Sequence, residues 1–133
     1  MLASQELYTA MLLKLRSLWP DSVFDGDLPP EGTPYPFVHL GDTQDIAEFL
    51  VKGAAFGRIS ITVNIWMNNP RRRGDLSLMA LKTKALARSI SETDSFGWCL
   101  SGCEESVIPD NTTKDPLMHG VLIFEFKYWR KKQ

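Results

Sequence analysis

The segment Arg58-Ile59-Ser60-Ile61-Thr62-Val63-Asn64-Ile65-Trp66-Met67-Asn68 alternates without a break. Ile59, Ile61, Val63, Ile65 and Met67 fall on one side, and Ser60, Thr62, Asn64 and Trp66 on the other. A period of two in β-branched residues marks a half-buried strand. Five successive inward positions require an apolar layer along the strand's whole length. The outward set carries no Lys or Glu, which is unusual for a face in open solvent. That poverty of charge predicts that Asn64 and Trp66 are covered, by a neighbouring subunit or by a larger assembly.

The rest of the chain supplies the partner layer. Leu7, Met11, Leu15 and Leu18 recur at helical spacing, widened by Leu12 and Trp19. Ser4 is the expected N-cap and Pro20 the stop, giving a helix over residues 4–18. Residues 21–36 are rich in Pro and Gly, with room for a short edge strand at Val23-Phe24. Phe37-Val38-His39-Leu40 reads as a short strand closed by Gly41-Asp42. Residues 42–57 show no strong period. There Ile46, Phe49 and Leu50 suit one amphipathic turn, and Gly53-Ala54-Ala55-Phe56-Gly57 a hinge. In a free subunit these apolar residues would form an exposed patch, so something is expected to cover them.

A second helix begins after Arg71-Arg72-Arg73-Gly74, with Asp75 as its expected N-cap. Leu76, Met79, Thr83, Leu86 and Ile90 hold its buried stripe. Residues 96–100 read as a strand that residues 107–109 extend or resume. The last strand, residues 119–129, puts Leu122, Phe124, Phe126 and Tyr128 on one face. The predicted fold is α+β: a mainly antiparallel sheet of about four or five strands, with two helices packed on one face. With 133 residues, one domain over 1–133 is expected.

Composition narrows the function. An apolar share of 44% and a charged share of 23% are those of an ordinary globular protein. A net charge of −1 argues against nucleic-acid binding through overall charge. The chain start lacks the pattern of a secretory signal, and no apolar run is long enough to span a bilayer, so a cytoplasmic protein away from membranes is expected. Cys99 and Cys103 are read as ordinary thiols. With His39 and His119 they match no zinc spacing, so neither metal nor cofactor is expected. No phosphate-binding loop, dinucleotide fingerprint, zinc-protease helix or nucleophile elbow is present. Asp25 and Asp27 flank Gly26, but the oxygen ligands of a calcium loop do not continue. Catalytic residues are therefore expected to be none.

Charge is nevertheless segregated. Residues 17–51 hold Asp21, Asp25, Asp27, Glu31, Asp42, Asp45 and Glu48 and no Lys or Arg. Cations gather later, at Arg71, Arg72 and Arg73 and at Lys127, Arg130, Lys131 and Lys132. Complementary faces of this kind steer and register an interface. The candidate interface residues are Asp25, Asp27, Phe49, Phe56, Asn64, Trp66, Arg71, Arg72, Arg73 and Arg130. Two other classes stay open on the residues alone: a small-molecule-binding or enzymatic α+β domain, and a nucleic-acid module using the arginine turn.

Pro34-Tyr35-Pro36-Phe37-Val38-His39-Leu40-Gly41-Asp42 resembles the P-Y-V-x-L-G stretch of small tail-completion proteins of long-tailed bacteriophages, which include tail terminators and head-to-tail joining proteins. The order of helix, acidic turn, long loop, Trp-bearing strand, helix and Phe/Tyr-rich last strand follows that family's layout over the whole chain. The resemblance implies a ring, typically of six copies, at the end of the tail tube. It implies partners in the major tail tube protein and head-completion proteins, at most non-specific contact with DNA, and no enzyme activity. It places the protein in the host cytoplasm during assembly and then in the virion tail. The loop over residues 42–57 has no match in that pattern.

Overall fold

The computed structural model describes residues 2–46, 56–111 and 116–132. The elements are helix α1 (Ala3–Leu18), strands β1 (Val23–Asp25), β2 (Phe37–Ile46) and β3 (Phe56–Met67), a 3-10 turn (Pro70–Arg72), helix α2 (Arg73–Arg88), and strands β4 (Phe96–Asp110) and β5 (Leu117–Arg130). The five strands form one sheet in the order β1-β2-β3-β5-β4. β1 runs parallel to β2, and every other pair is antiparallel. The α+β class and the two helices on one face are as the hydrophobic pattern predicts.

β3 is the spine of the sheet. Ile59, Ile61, Val63, Ile65 and Met67 are each 0% exposed. Beneath them lie Leu7, Met11 and Leu15 of α1 and Leu76, Met79 and Ala87 of α2, and beside them on the same face Leu122, Phe124 and Phe126 of β5. Two amphipathic helices thus bury one face of one sheet, the packing that lets each element hide its apolar side.

One buried carboxylate ties the helices to the sheet edge. Glu6 lies on the inner side of α1 and is 6% exposed. Its Oε1 accepts the Thr93 hydroxyl at 2.7 Å and the Ser95 amide at 2.9 Å. The Trp98 indole N–H in turn donates to Thr93 Oγ1 at 2.9 Å. Burial favours the protonated acid, but these donors outweigh it and hold the carboxyl below its ordinary value.

Several boundaries differ from the sequence reading. Leu2, not Ser4, occupies the N-cap of α1, and no side chain caps that end. Asp75 does not cap α2: it lies inside the first turn and pairs with Arg72 at 2.9 Å. The cap sits one element earlier, where Asn69 accepts the Arg71 amide at 2.9 Å and opens the 3-10 turn. β2 does not close at Gly41-Asp42, because a bulge between Leu40 and Thr43 carries the strand on to Ile46. Ile46 is therefore a strand residue opposite Arg58 and not part of a helical turn. Residues 96–110 form one strand, again with a bulge, between Leu100 and Gly102. Gly57 lies within β3, where a Cβ would stand 2.9 Å from the Tyr128 hydroxyl. Phe49, Leu50 and the proposed hinge over residues 53–55 lie outside the described residues.

Candidate assembly surface

Among the described residues, no helix covers the sheet's second face. β3 presents Phe56, Arg58, Ser60, Thr62, Asn64 and Trp66 there, opposite Trp129, Lys127, Glu125, Ile123, Val121 and His119 of β5. Opposed residues of an antiparallel pair share a face, so these twelve side chains form one two-strand surface. Its two ends differ.

At the Trp66 end the chain covers itself. The Trp66 and His119 rings stack with centroids 3.9 Å apart and planes at 10°, and Phe37 lies at 6.4 Å on. His119 Nε2 donates to Asn64 Oδ1 at 2.7 Å, and Asn64 Nδ2 donates to the His39 carbonyl at 3.4 Å. Burial under the stack pushes the His119 pKa down, with Asp110 opposing and His39 adding to the shift. The low charge of Asn64 and Trp66 thus has an explanation inside one chain: both are half-covered by β2 and β5. The Trp66 Nε1 is buried and finds no acceptor among the described residues.

At the Phe56 end the surface opens. Phe56 is 45% exposed and Trp129 47%. With Gly57, Arg58, Cys99, Lys127 and Tyr128 they line a cavity of about 420 Å³. The Trp129 indole lies flat over Gly97, where a Cβ would stand 2.3 Å from its Cε2, so glycine there sets the cavity wall. Arg58 is held against Glu125 at 3.0 Å. Burial raises the pKa of the Tyr128 hydroxyl, and Asp45 adds to it. The wall is aromatic and the rim cationic. Trp129 and Cys99 escaped the sequence reading; the signal was a tryptophan two positions from Lys127, and so on the same face, at the end of β5.

The predicted charges fall in three places. The cations form two groups: Arg71, Arg72 and Arg73 follow the C-terminal end of β3, whereas Arg58, Lys127 and Arg130 gather at its start. A twelve-residue strand puts on the order of 35 Å between them. Arg71 and Arg73 are exposed, while Arg72 is engaged with Asp75. Arg130 lies over the Phe96 ring at 5.1 Å. The acids form the third group, at the β1 edge. Asp25 pairs with Arg16 at 3.2 Å, and Asp27 is exposed in the turn that follows. Cys99 and Cys103 are free, exposed thiols on β4. Among the described residues no three His, Cys, Asp or Glu side chains group as metal ligands, and no helix is long and apolar enough to cross a membrane.

The described residues thus form a helix-backed sheet whose outer face ends in exposed aromatic side chains, and what such a chain does is informed by its likeness to known structures. Comparison with solved structures finds phage-type virion and tail proteins. The chain matches a protein of the virion of a native gene transfer agent particle with a TM-score of 0.67 and 16% identity, over 97% of this chain and 99% of that one. It matches the gp17 protein of bacteriophage SPP1, a tail-completion protein, with a TM-score of 0.55 and 26% identity, over 95% and 91%. The resemblance to tail-completion proteins read from the sequence is thereby supported in three dimensions, and a structural tail role is favoured over an enzymatic or small-molecule-binding domain. No family profile and no curated protein matches the chain.

Proposed function

We propose that the chain is the subunit of a ring that completes a phage-type tail, as a tail terminator or a head-to-tail joining protein. The observation that carries this reading is the match to SPP1 gp17 over nearly the full length of both chains. The ring, taken as six copies, caps the tail tube. Its partners are copies of itself, the major tail tube protein and head-completion proteins, and it meets DNA only through non-specific charge. It assembles in the host cytoplasm and ends in the virion tail. No catalysis is assigned to it, and the Phe56–Trp129 cavity is read as part of a joint.

A ring requires a heterologous contact, one surface of each copy meeting a different surface of the next. The segregated charge supports such a contact, with acids at the β1 edge and cations at the far side of the sheet. Electron microscopy of the purified protein is the direct test. Rings with a central hole are expected, at an order that image classification reads. A protein that stays single in solution and also fails to bind purified tail tubes overturns the ring.

A further inference from the structure

We propose that one joint of this ring is the seating of Leu28 of one copy in the Phe56–Trp129 cavity of the next, with Asp27 facing Lys127. The inference rests on the ring reading above and names the contact that closes it. The occupant is a second copy of the chain, and three observations point to it.

First, Leu28 is 61% exposed at the edge of the sheet, among acids. Asp27 precedes it and Glu31 follows, both exposed and neither in an ion pair among the described residues. An exposed leucine amid carboxylates suits an apolar socket with a cationic rim. Second, the chain supplies such a socket. The Phe56 and Trp129 rings wall the cavity of about 420 Å³. Lys127 on its rim is exposed and makes no ion pair among the described residues. Lys132 follows beyond the end of β5, also exposed. Third, the turn is held in place before any partner arrives. Gly26 takes a φ of 73°, and its carbonyl accepts His39 Nε2 at 2.7 Å. The Arg16–Asp25 pair fixes the strand end just before it. A pre-formed loop loses little freedom on docking.

The topology makes the contact head-to-tail. The turn follows β1, the strand at one edge, whereas the cavity spans β3, β5 and β4 toward the other. A plug at one edge and a socket toward the other generate a closed ring or a filament, not an isologous dimer.

Charge exchange tests the joint. Asp27→Lys places a lysine against Lys127, and Lys127→Asp places an aspartate against Asp27. Each variant alone is expected to self-associate at least about tenfold more weakly than wild type in sedimentation velocity. Mixed in equal amounts they are expected to recover the wild-type assembly, because every contact in an alternating ring then joins opposite charges. Leu28→Asp is expected to weaken association by a similar or larger factor without changing the circular dichroism spectrum. Recovery on mixing has no explanation in a folding defect. If wild type forms rings and both charge variants assemble like it, this joint is wrong and the ring stands. If both variants lose assembly and the mixture does not recover it, Asp27 and Lys127 are not partners and the joint is likewise overturned. If wild type forms no ring, alone or on tail tubes, the ring reading and the joint fail together.

Discussion

The two faces of β3 are made by the same twelve residues and behave as two different surfaces. Inward, five consecutive alternate positions are completely buried. Outward, none is: Ser60, Thr62, Asn64 and Trp66 are half-buried, and Phe56 is exposed. The inward face is settled by burial alone, worth roughly 1.5–3 kcal/mol per large apolar side chain. The outward face divides along its length. At one end a Trp–His stack and an Asn bridge satisfy the chain's own groups. At the other, aromatic walls stand open beside a lysine. With the proposed joint at the open end, stability and assembly fall to different residues of a single strand, and mutations should separate them.

The inner face gives the largest effect. Phe124 is 0% exposed at the centre of the core. Phe124→Ala should cost about 3–5 kcal/mol, the lost transfer energy plus the cavity left behind. Urea unfolding should show the midpoint falling with little change in slope. A cost below about 1 kcal/mol would mean that the helices do not close over this face.

Glu6 comes next. Glu6→Ala leaves the Thr93 hydroxyl and the Ser95 amide without their acceptor, at about 1–3 kcal/mol. Its pH dependence has a definite sign. The folded pKa lies below the ordinary 4.5, so the folded state binds the proton less readily than the unfolded chain. The contribution is complete above pH 4.5 and is lost as pH falls through the folded value. His119, lowered from 6.5, acts in the same direction over a higher window, starting near pH 6.5. Stability should therefore fall in two stages on acidification, and Glu6→Ala should flatten the lower stage only. A variant whose acid limb matches wild type would remove Glu6 from this role.

The stacked end of the outer face ranks third. Trp66→Ala removes the His119 stack and part of the Phe37 contact, at about 1–2 kcal/mol. Its proton signature is more specific than its stability. Without the indole His119 is better solvated, so its pKa, followed by NMR, should rise toward 6.5. A charge at Trp66 would test the predicted cover of this face by a neighbour. The stack makes that variant a test of folding as well, and so a poor probe of the interface.

How far the sequence revealed this follows from what periodicity can register. The inward stripe of β3 and the helical stripes over Leu7–Met11–Leu15 and Leu76–Met79–Thr83 were legible because burial imposes a period on the residue types. Both bulges were not, since one added residue at Gly41–Asp42 or Ser101 reads as the end of a strand. The caps at Ser4 and Asp75 were misplaced because local propensity yields to the packing that sets where each helix starts. The half-cover that the chain itself gives Trp66 was not legible, because cross-strand partners such as His119 depend on a register that no local pattern encodes. The cavity was invisible for the same reason: Phe56, Cys99 and Trp129 meet only once three strands are aligned. Segregated charge was legible, while its division into two cationic groups at opposite ends of β3 was not.

The smallest effect on stability is expected where the effect on assembly is large. Lys127 is exposed, makes no ion pair among the described residues, and stands opposite Arg58 and Cys99 on its two neighbouring strands. Lys127→Ala removes no buried contact and relieves a like-charge neighbour, so its unfolding free energy should stay within about 0.5 kcal/mol of wild type. Arg72→Ala is the matched control at the other end of the strand. It loses one exposed ion pair, worth up to about 1 kcal/mol, and should leave assembly unchanged if the joint lies at the Phe56 end. Thermal unfolding and sedimentation of the two variants, side by side, compare the two cationic groups directly. Equal losses of assembly in both would mean that the arginine turn after β3 is part of the contact as well. A loss confined to Lys127→Ala would place the joint at the open end, leaving the stacked end to its own chain.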